Sequence, residues 1–400
     1  MDSSQSPCGG SRRRFLRTTA VTGAALATAG PLLAAAPEEP GVPGVVLGKT
    51  GQKVSKLGMG TSWDVAPSFV QAALFAGVRY IDTSESYENT KSETVLGQVL
   101  ERTKLRKDVY LVTKNAGFRT AKGGSALKIF EDHLDASLGR LRTDFVDAYY
   151  IHGIAGNQIA MLRDPGVKAA FEALKAKKKI RFAGLSCHDA MLPEILEEVA
   201  AVGWIDQVMI KYNFRDVNHD KLQHAIDAAA KANIGLVAMK TQGGAANFPD
   251  KMAALTAKGF KPEVAAIKTV WDDDRMQVVV SEMVNRSDLR ENVAASRDAL
   301  SPKEARLLEE HRVRTANLYC HGCGHLCESA ARGVPVATVL RYLRYYETYG
   351  KRQEARALYQ ALPPISRELA ATVDLAAAQA ACPHGLPVVD LIRTADRRLA

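Results

Sequence analysis

Cysteine is scarce, six in 400 residues, so disulfides are not what holds this chain together. Hydrophobic residues at 46% and charged residues at 24% are enough to bury a large core without them. A long apolar run is also missing. The one stretch that approaches it, Thr18 to Leu33, is too short and too rich in alanine for a stable membrane span. No Gly-x-Gly-x-x-Gly follows the first strand-like run, which counts against a doubly wound dinucleotide fold. No internal repeat occurs. Nor is there a basic patch of the kind that binds nucleic acid. The formal charge is +9, residues 1–36 account for +3 of it (four arginines, one aspartate), and the remaining +6 is scattered. The densest run, Lys175, Lys177, Lys178 and Lys179, reads as the solvated end of a helix.

What is present begins with an address. Ser11-Arg12-Arg13-Arg14-Phe15-Leu16-Arg17 precedes the apolar stretch, and Ala34-Ala35-Ala36 supplies a small-residue cleavage site. That order of zones is a secretory signal, and the paired arginines before Phe-Leu resemble the twin-arginine type, which is read by a receptor and anchors nothing. The resemblance implies the twin-arginine export machinery as a partner, export of an already folded protein, and a periplasmic location. Residues 37–44 follow as a short linker rich in Pro, Gly and Glu.

From residue 45 to about 300, apolar runs alternate with amphipathic helical segments. Strands are expected at 55–61, 79–83, 109–114, 145–151, 181–186, 206–212, 235–240 and 276–281. Leu127, Phe130, Leu134, Leu138 and Leu141 recur at helical spacing on one face. Asp164 before Pro165 reads as a helix cap, as does Asn218. Eight strand–helix units predict a (β/α)₈ barrel, in which functional side chains stand where strands end.

Those ends carry ionisable groups. Asp82 and Tyr87 follow the second run, Lys114 ends the third and His152 the fourth. A single such residue is usually a satisfied surface group; four on consecutive strands point to chemistry. A tyrosine is a poor acid, with an ordinary pKa near 10. A lysine beside it favours the phenolate, an aspartate holds the lysine, and a histidine can orient a carbonyl oxygen. Asp82, Tyr87, Lys114 and His152 resemble the catalytic tetrad of the aldo/keto reductases in type, order and strand placement. The stretch Leu47-Gly48-Lys49-Thr50-Gly51 through Leu57-Gly58-Met59-Gly60-Thr61 is similar to that family's N-terminal motif. The resemblance covers about residues 45–300 and implies hydride transfer between NADP or NAD and a small carbonyl or alcohol substrate, with Tyr87 as the acid.

The same resemblance assigns a cofactor pocket. Ser186 stands where the family holds the nicotinamide carboxamide, although Cys187 and Met209 replace its usual Asn and Gln partners. Tyr212 takes the place of the ring that stacks on the nicotinamide, with a core aromatic as the plain alternative. Gly243 and Gly244 suit the pyrophosphate, and Glu291 and Asn292 the adenine. Glu282, Met283 and Asp288 occupy the registers of the basic residues that hold a 2′-phosphate.

Beyond residue 300 the rhythm changes to a helical tail, 301–400. Cys320, Cys323 and Cys327 form C-x₂-C-x₃-C, and Cys382-Pro383 follows much later. Four thiolates with a terminal Cys-Pro suit a [4Fe-4S] cluster, as in the ferredoxin-like tails of certain aldo/keto reductases. Zinc, with His321, His325 or His384 as further ligands, or disulfides are the rivals. A helical insert with Leu340, Leu343, Tyr346, Ala355 and Leu358 must fold back as a hairpin for Cys382 to join the others. The reading is an exported reductase that exchanges electrons with a redox partner protein through the tail. Two alternatives stand beside it. One is a catalytically retired barrel serving electron transfer or binding through the tail; the other is a metal-dependent hydrolase, which two strand-end histidines, His152 and His188, scarcely support.

Overall fold

A computed structural model of the chain describes residues 41–119, 125–246, 259–318 and 320–400, with 253, 256 and 257 between them. The signal 1–36, Cys8 and the linker as far as Pro40 lie outside the described residues.

Two short strands open the described chain, β1 (Gly44–Val46) and β2 (Lys53–Ser55), paired antiparallel. This hairpin was not expected. Eight parallel strands follow: β3 (Leu57–Gly60), β4 (Tyr80–Asp82), β5 (Tyr110–Asn115), β6 (Val146–Ile151), β7 (Ile180–Cys187), β8 (Gln207–Lys211), β9 (Gly235–Met239) and β10 (Val278–Ser281). They pair in chain order, and β10 returns to β3 to close the barrel. The expected eight strands are all there, each end within two residues of its expected place.

Period-two alternation divides each strand between two cores. Tyr80, Tyr110, Val112, Ala148, Tyr150, Met209, Val237, Val278 and Val280 fill the barrel with Leu47 and Val54 of the hairpin. The intervening residues, such as Ile81, Leu111, Leu185 and Ile210, pack outward against the helices. Inside, Tyr80 stacks on Tyr110 at 5.4 Å between ring centroids, and Gln207 Nε2 donates to Tyr110 Oη at 2.7 Å. The hairpin can sit this close because Gly48, at φ +43°, lies against Gly235: a Cβ there would come within 2.4 Å of its backbone nitrogen.

Helix Ala126–Leu141 buries Phe130, Leu134, Leu138 and Leu141, as their spacing predicts. Asp164 caps helix Pro165–Ala176, accepting from Gly166 N–H at 2.7 Å. The cap of helix Asp220–Lys231 is His219, not Asn218. The helix starts one residue later than expected, and His219 Nδ1 accepts from Leu222 N–H at 3.1 Å. The lysine run is ion-paired: Lys177 and Lys179 meet Glu131, and Lys175 meets Asp206. No helix among the described residues is long and apolar enough to cross a membrane.

The tail folds into helices Pro302–Arg314, Val336–Glu347, Arg352–Gln360, Pro364–Thr372, Ala376–Ala380 and Val388–Leu399, with a short turn at Gly324–Cys327. Val336–Glu347 and Arg352–Gln360 make the expected hairpin, reversing through Gly350 at φ +67°. Leu340, Leu343, Ala355, Tyr359, Ile392 and Leu399 join a core of their own. On helix Pro302–Arg314, His311 is fully buried, its ring 5.7 Å from that of Phe214. Burial, with Arg215 nearby, lowers its pKa to about 4. Between that value and the ordinary 6.5, the unfolded chain takes up a proton that the folded chain refuses. Stability is therefore whole above about pH 6.5 and falls by roughly 3 kcal/mol as the pH drops toward 4. Urea unfolding at pH 7 and pH 4.5 should show a smaller acid loss in His311→Leu than in the wild type; equal losses would refute this account.

Candidate active site

The same alternation that fills the barrel aims the ionisable residues into its mouth. Asp82 stands two residues beyond Tyr80, Lys114 two beyond Val112 and His152 two beyond Tyr150, so each continues an inward-facing row. Asp82 pairs in register with Val112 and Lys114 with Tyr150, which sets the three side by side.

Lys114 Nζ is the hub. It lies 2.6 Å from Asp82 Oδ1, 2.8 Å from Thr83 O and 3.1 Å from Tyr87 Oη. An ammonium only donates, so Tyr87 Oη accepts from it and turns its own proton elsewhere. The His152 ring meets that of Tyr87 edge-on at 5.6 Å. Its plane is set by Ser84 Oγ, 3.0 Å from Nδ1, and Ser86 Oγ at 3.3 Å. The tetrad residues sit together, as the sequence predicts.

Their electrostatics differ from the expectation in one respect. Burial pushes the Tyr87 phenol well above its ordinary pKa, and Asp82, Glu282, Tyr345 and Glu354 push it further. Lys114 is not among the groups that shift it most, and its own ammonium is paired with Asp82. Both partners of that pair are buried and both are shifted by desolvation, Asp82 upward and Lys114 downward, while their mutual attraction opposes each shift. Tyr87 therefore rests as a protonated acid. The backbone after it is strained: Glu88, Asn89 and Thr90 all take left-handed conformations (φ 48°, 52° and 72°). No sequence signal announced this turn.

The mouth opens into a cavity of about 1140 Å³ that holds Asp82, Tyr87, His152, Ser186, Met209, Gly243 and Gly244 among its lining residues. Ser186 Oγ accepts from Gly153 N–H at 2.8 Å. Gly243, at φ +52°, lies against Asn213, whose Oδ1 a Cβ would meet at 2.7 Å, and Arg215 Nε donates to its carbonyl at 2.9 Å. Four other positions lie away from the cavity. Cys187 and Tyr212 share the outward parity of Leu185 and Ile210, and both belong to the outer core. Burial raises the Cys187 thiol to about 12. Tyr212 donates from Oη to Asp273 Oδ2 at 2.7 Å, which is the placement of a core aromatic. Asn292 donates to Ser281 Oγ at 2.9 Å, and Glu291 pairs with Lys261 at 2.8 Å. Glu282 lines the cavity, Met283 is buried, and Asp288 accepts from Val284 N–H at 3.1 Å.

Sequence reasoning missed the contribution of the tail. Arg341, Tyr342, Tyr345, Lys351 and Glu354 line the same cavity as the tetrad. Lys240 Nζ donates to Tyr345 Oη at 2.6 Å, Arg341 Nη1 to His188 O at 3.1 Å and Lys351 Nζ to Ser62 O at 2.7 Å. Only the i, i+1, i+4 spacing of Arg341, Tyr342 and Tyr345 hinted at a face.

The tail cysteines converge. Cys327 belongs to the tail core, and Cys320 and Cys382 pack against it. Burial raises the thiol of Cys320, that of Cys323 to about 11 and that of Cys327 to about 12, and the neighbouring cysteines push each upward again. Lys211 and Arg344 act in the opposite sense on Cys320. All four are free thiols. Among the described residues, no three His, Cys, Asp or Glu side chains stand in an arrangement that would hold a metal ion. His321 and His384 stack at 3.6 Å; the His325 side chain lies outside the described residues.

Comparisons with known proteins bear on the barrel. The profile of the Aldo/keto reductase family matches residues 56–313. An uncharacterized oxidoreductase of Bacillus subtilis (strain 168), YqkF, is 25% identical over 300 residues, 66% of this chain and 95% of the relative. L-galactose dehydrogenase of Arabidopsis thaliana is 26% identical over 278 residues, 62% of this chain and 86% of that one. Among solved structures, aldo-keto reductase AKR11C1 from Bacillus halodurans, in its holo form, superposes with a TM-score of 0.55 at 22% identity, covering 67% of this chain and 96% of its own. An aldo/keto reductase from Klebsiella pneumoniae in complex with NADP and acetate gives 0.53 at 22%, covering 68% and 95%. At those identities the two structures speak for the fold. The family profile ends before the first tail cysteine.

Proposed function

The chain belongs to the aldo/keto reductase family of oxidoreductases, and on that premise we propose that it reduces a carbonyl compound, or oxidises the matching alcohol, at Tyr87. The observation that carries the reading is the contact of Lys114 Nζ with both Asp82 and Tyr87 at the mouth of the barrel. A nicotinamide nucleotide would supply the hydride, and the complex of the Klebsiella relative with NADP supports that class of cofactor. Part of the expected pocket fits it, Tyr212, Glu291 and Asn292 lying outside the cavity. A cavity of about 1140 Å³ exceeds what most single small ligands need, Ser186 lies in it, and the glycine loop at Gly243–Gly244 leaves backbone close to it.

The chain's own residues do the rest. As negative charge develops on the carbonyl oxygen, Tyr87 Oη gives it a proton, and His152 orients that oxygen. The phenolate left behind has the Lys114 ammonium 3.1 Å away, a charge–charge stabilisation that the neutral resting phenol, which only accepts a hydrogen bond from it, lacks. Charge is thus met where it appears in the transition state.

The finer reading extends to the tail and the address. Residues 1–36 act as a twin-arginine signal that carries the folded protein to the periplasm, 45–300 form the reductase barrel, and 301–400 the tail. Cys320, Cys323, Cys327 and Cys382 would hold a [4Fe-4S] cluster that passes electrons to a partner protein. The spacing C-x₂-C-x₃-C with a later Cys-Pro is what supports it, with zinc as the alternative; as they stand, the four thiols are not arranged as a metal-holding group. One preparation tests these points: the mature protein isolated anaerobically from the periplasmic fraction. NADPH and NADH are titrated while nicotinamide fluorescence is followed, and the same sample is analysed for iron, sulfide and zinc. Saturable nucleotide binding with about four irons per chain is expected. No nucleotide, bound or titrated, would return the case to a retired barrel working through its tail.

A further inference from the structure

Two cations in the cavity have no carboxylate at ion-pair distance among the described residues; Asp189 and Glu328 act on Arg341 only from farther away. Lys240 follows β9 in a left-handed conformation (φ 56°) that turns it over the barrel mouth. Its ammonium donates to a neutral phenol, Tyr345 Oη, and lies 4.9 Å from that ring's centroid. Arg341 donates from Nη1 to a neutral carbonyl, His188 O, and its guanidinium stands 5.2 Å from the Tyr342 ring centroid. Its Nε is buried without an acceptor. Neither forms an ion pair among the described residues, whereas Lys114 pairs with Asp82 and Lys211 with Asp216 at 3.0 Å.

The nearest carboxylates of the cavity take their hydrogen bonds from other groups. Glu328 accepts from Ala337 N–H at 2.8 Å, Asp189 from Met191 N–H at 3.0 Å, and Glu282 from the Ser62 hydroxyl. Lys240 feels Arg341, Lys211 and Lys351 as like charges against Glu282 alone, and after burial these drive its pKa well below the ordinary value. Burying like charges together is costly unless a counter-charge arrives.

We infer that Lys240 and Arg341, with the Tyr345 hydroxyl between barrel and tail, form an anion subsite that holds a carboxylate or phosphate group of the carbonyl substrate. The inference rests on the reductase reading for the word substrate, but the anion site itself does not. The anionic group belongs to the substrate and not to the nucleotide because two of the subsite's three groups, Arg341 and Tyr345, come from the tail. The glycine loop assigned to the pyrophosphate is built by the barrel alone, whereas Tyr345 is one of the groups felt by Tyr87. A planar guanidinium and a phenol hydroxyl lining one cavity suit a carboxylate in particular.

The test titrates benzoate and inorganic phosphate calorimetrically into the nucleotide-free full chain, comparing the wild type with Arg341→Ala and Lys240→Met. Turnover of 4-carboxybenzaldehyde is set against that of its methyl ester in the same proteins, and circular dichroism checks that each is folded. Saturable benzoate binding, weakened about tenfold or more in each variant, is expected, with the acid-over-ester ratio of kcat/KM falling in parallel. Arg341→Lys, which keeps the charge and loses the fork, should recover part of both. Anion affinity equal in wild type and variants, or absent from the wild type, overturns the proposal. So does weaker NADPH binding with benzoate unaffected, since the cluster would then serve the nucleotide's phosphates. If neither aldehyde turns over while benzoate binds as expected, the anion site stands and the reductase reading falls.

Discussion

Tyr87→Phe is expected to lose between about a hundredfold and ten-thousandfold in kcat, the usual worth of a positioned general acid, while nucleotide affinity and folding stay near wild type. The substitution removes one oxygen. Lys114 keeps Asp82 and Thr83 O as partners, so the structural cost is a single hydrogen bond, about 1 kcal/mol. The ring, packed edge-on against His152, is retained in shape. The two consequences separate cleanly: steady-state turnover falls by orders of magnitude and the thermal midpoint by a few degrees. Turnover within tenfold of wild type would remove Tyr87 from the chemistry. A collapse of the midpoint would make its role structural.

Burial explains why that effect should be so large. A phenol in water is a sluggish acid that ionises only in base, and burial raises the Tyr87 pKa further. What the protein supplies is a difference between two states. At rest, Lys114 is matched to Asp82, and the proton stays on Tyr87. Once the proton has moved to substrate, the phenolate becomes a second partner for the same ammonium in a medium of low dielectric, where the attraction counts for more. The sequence suggested a lysine that lowers a resting pKa; the geometry instead supports a lysine that stabilises what the reaction leaves behind.

The legible parts of this molecule are those written in a short period. Strands of three to eight residues declared themselves through alternation, and the same parity put Asp82, Lys114 and His152 in one mouth. Parity also told against Tyr212, which shares it with Val208 and Ile210; matching it to a family position by register overrode that local signal. The cap at His219 was hidden because histidine seldom serves as one. Least legible was the meeting of tail and barrel. Lys240–Tyr345 and Lys351–Ser62 join residues more than a hundred positions apart, and nothing in the local pattern of either partner encodes the other. The left-handed run after Tyr87 belongs to the same class, since only the packing around it forces three non-glycine residues into that conformation.

The second large effect concerns stability as well as turnover. Asp82→Asn should destabilise the fold by about 3–5 kcal/mol, because it leaves the Lys114 ammonium buried with no counter-charge. Lys114 is about 1% exposed and cannot reach water. Its pKa, already lowered by burial, loses the attraction that opposed the fall, so the lysine sheds its proton more readily. A neutral amine would still touch Tyr87 but could no longer hold a phenolate, and turnover should fall with stability. Lys114→Met leaves the mirror defect: Asp82, its pKa raised by burial and by Glu282, would take up a proton and stay neutral. Combining the two changes removes both charges, and the double variant should recover much of the stability lost by either single one while recovering none of the activity. Urea unfolding of the four proteins measures the coupling energy directly. Additive losses, with no recovery in the double variant, would mean that the two charges do not compensate one another, and the pairing at 2.6 Å would have to give up its place at the centre of the mechanism.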